Sequence, residues 1–323
     1  MKKTAPIVLL IVAAVAAMSV GSSQVDDFWS ALLNPGSNEI VWQIRFPRVM
    51  AAVIVGAALG IAGLMAQGAC NNAIAEPAIL GTAAGASFGA VAGIATGLVQ
   101  VGSLAALTFG TAGALLATSI TFKLAALRGA LSSFNLIIVG IAVSAIFTSL
   151  VGITSAVLNR ADARSISFWS LGSLALVTNE NLLGLIITTL AGGVIAWFIA
   201  PMLDRLSLGD HSAFHLGVNV PRVRLLALIS LSLLAGGAVS TVGVIAFIGL
   251  AAPHIARFIY GPSHRALTIH SAIIGAFIVL VADTLARTIA QPNELPIGLA
   301  TALIGAPVLI ALVSVKNNVW RTQ

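Results

Sequence analysis

Long uninterrupted apolar runs, rather than alternating positions, dominate this chain. They fall roughly at 5–22, 46–68, 78–98, 103–122, 134–157, 181–202, 224–240, 244–260, 269–288 and 298–315, and polar residues collect in the short breaks between them. Helices of about 17–25 apolar residues cross the hydrocarbon core of a bilayer. Membrane strands would instead alternate over segments of about ten residues. The pattern therefore predicts an all-α integral membrane protein with about ten transmembrane helices, forming a single domain over residues 1–323.

Composition sharpens this picture. The chain is 59% hydrophobic and only 8% charged, with a mean hydropathy of +1.05. A soluble domain of this size would need far more charge to cover its surface, and the breaks leave no room for a separate catalytic domain. Glycine is abundant, at 31 residues, and small residues let membrane helices approach closely. With the amino end inside, the inside breaks carry Lys2, Lys3, Lys123, Arg128, Arg205, Arg222, Arg224, Arg257, Arg265, Lys316 and Arg321. The outside breaks carry only Arg45, Arg48, Arg160, Arg164 and Arg287. This bias orients the chain with both termini cytoplasmic. It also accounts for the basic pI near 10.5 without a nucleic acid partner. Lys2-Lys3 followed by Ala5–Val20 has the form of a secretory signal. The nine further spans favour a retained first helix. The single cysteine, Cys70, cannot form an internal disulfide and reads as a small packing residue.

The chemistry-bearing motifs are sparse. No Gly-x-x-x-x-Gly-Lys-Ser/Thr, HExxH or CxxC occurs, so the sequence predicts no phosphate loop, metal site or catalytic residue of its own. His211 and His215 stand four apart, but no third ligand is evident. Asp283 and Arg287 are an acid-first i,i+4 pair within one span, and an intramembrane acid is normally paired. Glu294, in the following break, is a second partner for Arg287 or a cap for the last span. The outside segment 158–180 holds a short interfacial helix at about 165–175, with Trp169 as an anchor at the headgroups. His254 and Arg257 read as structural.

A series of short motifs runs the length of the chain. It includes Arg45-Phe46-Pro47-Arg48, Asn72-Ala73-Ile74-Ala75-Glu76-Pro77, Leu80-Gly81, Leu216-Gly217-Val218 with Arg222, Phe247-Ile248-Gly249-Leu250, Pro253-His254, Ala282-Asp283, Glu294-Leu295-Pro296 and Gly305-Ala306-Pro307. In order and spacing, from about Arg45 to Leu312, this series resembles the FecCD-type permeases of type II ABC importers, which carry iron–siderophores, haem and cobalamin. Two places depart from the family pattern. Asn71-Asn72-Ala73-Ile74 stands where Arg-Asn-Pro-Leu is usual, and Ser263 stands where an aspartate usually precedes the His-Arg pair.

The resemblance implies a ten-helix permease subunit of a prokaryotic cytoplasmic membrane, moving an iron–siderophore. Haem and cobalamin are alternative cargoes. It implies a second permease subunit (identical or paralogous), two ATPase subunits that use ATP and Mg²⁺ on the cytoplasmic side, and an extracytoplasmic binding protein. No cofactor is expected in the chain itself. Arg45, Arg48 and Arg287 are the expected binding-protein contacts, the bland alternative being helix-end anchoring at the headgroups. The break 203–223 is the expected coupling loop, with Asp204, Arg205, Asp210, Gly217, Asn219 and Arg222 as contacts to the ATPase. Gly140, Ser144, Thr148, Gly152 and Ser155 recur along one face of a span. They are the expected pathway stripe, with tight helix packing as the alternative. An ion-coupled secondary transporter is the competing class. It would need ligands for the ion near the midplane.

Overall fold

A computed structural model of the 323-residue chain describes residues 5–21, 25, 27–100, 102–127, 131–158, 166–167, 169–175, 177–289, 291, 293–303 and 305–307. Each predicted span meets a helix. These are α1 (Ala5–Ser19), α3 (Phe46–Cys70), α4 (Thr82–Ala95), α5 (Leu104–Leu127), α6 (Ser133–Val157), α7 (Asn179–Leu206), α9 (Val220–Val242), α10 (Ile248–Tyr260), α11 (His264–Ile289) and α12 (Ile297–Pro307). The sequence pattern missed α2 (Phe28–Leu33), and α8 (Asp210–His215) lies in the break 203–223. The predicted last span continues past the described residues, as do Lys2, Lys3, Arg128, Arg160, Arg164, Lys316 and Arg321.

Among the described residues, six helices are long and apolar enough to cross a membrane. Of these, α3 and α9 form the centre, each with a most apolar window 78% buried, whereas α6 is only 22% buried. An apolar side chain on α6 has lipid or another chain to meet, so its exposure there is no defect. The short helices have a physical reason. At 14 and 13 residues, α4 and α10 measure about 20 Å, against a hydrocarbon core of about 30 Å. Non-helical chain leads into each, residues 71–81 as a series of turns before α4 and 243–247 before α10. Gly243, at φ 78°, makes the turn out of α9, where a Cβ would strike the Trp169 carbonyl. Residue 247, a phenylalanine at φ 67°, starts α10 from a conformation that costs a non-glycine residue about 1–3 kcal/mol.

Small residues bring the central helices together. A Cβ added at Gly56, Gly60 or Gly63 of α3 would collide with the backbone of Gly275, Ser271 or Gly249. Gly85 and Gly89 of α4 meet α5 at Gly113 and Phe109 in the same way. With no hydrophobic drive between helices in lipid, such close approach supplies the packing energy. Buried hydroxyls on α9 bond back to carbonyls four residues earlier, as in Ser232 to Leu228 and Thr241 to Gly237, so they cost little. Ahead of α3, Ile40–Arg45 winds as a π turn. Pro47 donates no N–H and would crowd the carbonyl four residues back, and the wider turn relieves both problems.

Candidate functional site

Three arginines meet at one end of the bundle. Arg48 of α3 lies between two carboxylates. Its Nε is 3.0 Å and its Nη2 2.9 Å from Asp283 Oδ1, while Nη1 and Nη2 reach Glu294 at 2.8 and 3.0 Å. Asp283 is 1% exposed. Its predicted partner Arg287 is 3.6 Å away, so Arg48 forms the shorter contacts. Glu294 pairs with Arg48 rather than with Arg287. Sequence spacing finds only pairs on one helix, and Arg48 is 235 residues from Asp283.

The other two arginines serve the carboxyl end of α1. Arg45 donates to the carbonyls of Met18 and Ser19 at 2.8 and 3.1 Å. Arg287 donates to Val20 at 2.9 Å and also to Ala17. The last four carbonyls of a helix have no partner within it, and positive charge suits that end of the helix dipole. Both arginines are buried. They build α1 into the bundle, against α11 and α3.

Between the ends, residues 77–81 lie against the Gly140–Ser144 stretch of α6, two to three turns into that helix. Ser144 donates to the Ala78 carbonyl at 2.8 Å, and Thr121 of α5 to that of Leu80 at 3.1 Å. A Cβ at Gly140 would press on Ile79. The expected pathway stripe therefore divides. Gly140 and Ser144 pack against the 71–81 segment, Thr148 and Gly152 are exposed, and Ser155 is half-buried. A small cavity opens beside the segment, lined among others by Leu59, Glu76, Ala78, Val239, Phe247 and Gly249. The unusual residues at 71–74 have a local account. Asn71 ends α3 in the left-handed conformation at φ 42°, which asparagine tolerates. Asn72 Oδ1 accepts the Ile74 N–H at 3.0 Å, an Asx turn that shapes the chain where a proline would otherwise do so.

The opposite end carries the short helix α8. Leu208, Phe214 and Leu216 are exposed around it, as are Arg205, His211 and Arg222. The His211 and His215 rings lie 5.3 Å apart. Of the expected coupling residues, Asp204 accepts the His264 backbone N–H at 2.8 Å and contacts its ring at 2.7 Å. Asp210 forms an ion pair with Arg224 at 2.9 Å. Asn219 caps α9 by accepting the Arg222 N–H at 3.1 Å, and Gly217 makes the tight turn between α8 and α9 at φ 78°. Arg257 donates to Gln67 at 3.2 Å, and His254 bonds the Leu250 carbonyl at 2.8 Å.

Trp169 differs from expectation. It is 3% exposed, packed in a small core with Ala90, Val91 and Ile166, and does not reach out to headgroups. Its segment is stitched inward instead, through Ser173 N–H to Val242 and through Gly172 and Leu171 carbonyls to the start of α12.

A helical membrane bundle with two interrupted crossings, a buried ionic cluster at one end and a surface helix at the other describes a transport subunit. Residues 7–315 match the model of the FecCD transport family, and the chain belongs to that family. It is 36% identical over 83% of its length, and 71% of the relative's, to the iron(3+)-hydroxamate import system permease protein of Bacillus subtilis. To the ferric enterobactin transport system permease of Escherichia coli it is 37% identical, covering 80% of this chain and 79% of that one. To the hemin transport system permease of Yersinia pestis the identity is 35%, over 84% and 82%. A solved ABC transporter assigned to the metal-chelate type, in an inward-facing conformation, superposes with a TM-score of 0.82 at 29% identity, covering 96% of this chain and 97% of that one.

Proposed function

We propose that this chain forms the translocation path of a type II ABC importer in a prokaryotic cytoplasmic membrane, with both termini cytoplasmic, and that its cargo is an iron–siderophore chelate. The observation that carries this reading is family membership over residues 7–315, together with relatives named for iron hydroxamate and ferric enterobactin. Haem and cobalamin are the alternative cargoes, because other relatives are named for hemin and vitamin B12. The subunit works with a second permease copy or paralogue. Two ATPase subunits hydrolyse ATP with Mg²⁺ at the α8 end, and a binding protein delivers cargo at the Arg48 end.

The surface chemistry supports this division. Around α8, exposed Phe214, Leu208 and Leu216 sit among Arg205 and Arg222, an apolar patch with a cationic rim of the kind that docks a protein partner. Asp204, Asp210, Gly217 and Asn219 belong to that coupling surface and hold it in shape through their bonds to His264, Arg224 and α9. At the far end, Arg45, Arg48 and Arg287 serve docking by fixing the corner of α1, α3 and α11 on which the binding protein rests. The path runs along α6 at Thr148, Gly152 and Ser155, and past Gly140 and Ser144 where the 71–81 segment narrows it. No ring of like charge lines this route among the described residues, which suits a bulky chelate better than a bare ion.

Reconstitution in liposomes tests the reading. Uptake of a ferric hydroxamate, ferric enterobactin, hemin or vitamin B12 should require the ATPase, internal ATP and the binding protein. Uptake that follows a proton or sodium gradient without an ATPase would overturn it.

A further inference from the structure

Arg224 is the largest of the fully buried side chains, 1% exposed, in the first turns of α9. A guanidinium has five N–H donors in a fixed planar fork. Here each is used. Nε donates to the Ala69 carbonyl at 2.9 Å, Nη1 to the Leu131 carbonyl and to Asp210 Oδ2 at 2.9 Å, and Nη2 to Ser133 Oγ at 3.0 Å and Asp210 Oδ1 at 2.9 Å. One side chain therefore joins the first residue of α8, the last turn of α3, the lead into α6 and the start of α9.

Charge balance alone would need only Asp210. The three neutral acceptors belong to α3 and to the start of α6, and they fix the guanidinium plane against both. The α8–α9 connection is itself tight, since Val218 N–H bonds the Ala213 carbonyl at 3.0 Å and Asn219 caps α9. A displacement of α8 thus carries the α9 end with it. From α6 the chain of contacts continues, through Ser144 to the Ala78 carbonyl, into the segment beside the cavity. Immediately beyond Ala69 and Cys70, that same segment begins.

We propose that Arg224 is the positioning residue that transmits movement of α8 to the inner ends of α3 and α6, and through them to the 71–81 segment. The inference rests on the proposed function. A residue that merely stabilises the fold would lower yield and melting temperature but leave unchanged the cargo taken up per ATP hydrolysed. A transmitting residue lowers that ratio.

The test uses the full transporter, permease with its ATPase and binding protein, in liposomes. Ferric hydroxamate, ferric enterobactin, hemin and vitamin B12 are offered to the wild type, and the one it carries is used for the variants. Asp210→Asn and Arg224→Lys should each cut uptake per ATP roughly 2- to 30-fold. The double variant should fall no further than the worse single one, because both remove the same link. Should Arg224→Lys fail to fold, Ser133→Ala replaces it in the cycle. An unchanged ratio in Asp210→Asn, or losses that multiply in the double variant, overturns the inference alone. Wild-type uptake that needs no ATPase overturns the proposed function and this inference together.

Discussion

The two ends of the bundle use buried arginines in opposite ways. At one end, Arg48 meets two carboxylates while Arg45 and Arg287 meet backbone carbonyls, so charge is neutralised in place and three helices are clamped into a corner. At the other end the buried Arg224 is shared among neutral acceptors and one half-exposed acid. The first arrangement resists movement. The second links elements whose relative positions can change together, and it leaves Arg205 and Arg222 exposed for a partner. Burial of charge in a membrane protein is thus no single device: its acceptors decide whether it locks or connects.

The comparison breaks most readily at Arg48. Arg48→Met leaves Asp283 buried with only the 3.6 Å contact to Arg287, and stranding a buried charge costs about 3–5 kcal/mol. Thermal unfolding in detergent should show the loss. Replacing Arg48 and Asp283 together by Met and Leu should recover a large part of it. If the double variant is no more stable than the single one, the cluster is not the self-neutralising clamp described. Next in size, Gly60→Leu drives a side chain into the Ser271 carbonyl. Overpacking of this kind costs about 1–3 kcal/mol, read as a lower melting temperature in the same assay.

Effects at the exposed end should be smaller and salt-dependent. Arg205→Glu and Arg222→Glu each leave the fold intact and weaken ATPase association by about 0.2–1 kcal/mol, more at low salt than high. Binding that ignores ionic strength would remove these residues from the docking surface. Smallest of all for stability is Gly152→Ala, where nothing lies within 4 Å of an added Cβ. Its melting temperature should stay within the change expected for about 0.5 kcal/mol. A reduced uptake rate in that variant would place position 152 on the path, and an unchanged rate would take it off.

Much of the fold is legible in the sequence because lipid imposes a simple rule. Every spanning backbone must satisfy its own hydrogen bonds, so run length translates directly into helices. The rule loses force where protein, not lipid, surrounds the backbone. That is why the runs at 78–98 and 244–260 shorten to α4 and α10, with non-helical chain on the amino side of each. The arginines at 45, 48 and 287 stand out in the sequence by charge and spacing, yet their partners do not. Arg48 finds Asp283 and Glu294 only after seven intervening helices have packed. In the sequence Arg224 is one more cation in an inside break, since its five bonds depend on α3, α6 and α8 converging. Trp169 shows the same limit: an aromatic beside a polar break suggests an interface, and only packing reveals the pocket of Ala90, Val91 and Ile166 that buries it.

The clamp on α1 has a consequence for biosynthesis. Helix α1 ends in carbonyls whose partners include Arg287, 267 and 270 residues further along the chain. At about 5–20 residues per second, those bonds must wait roughly 15–55 s for their donor to be translated. Until then α1 can sit in the bilayer but cannot take its final seat, and a helix made much later completes its placement.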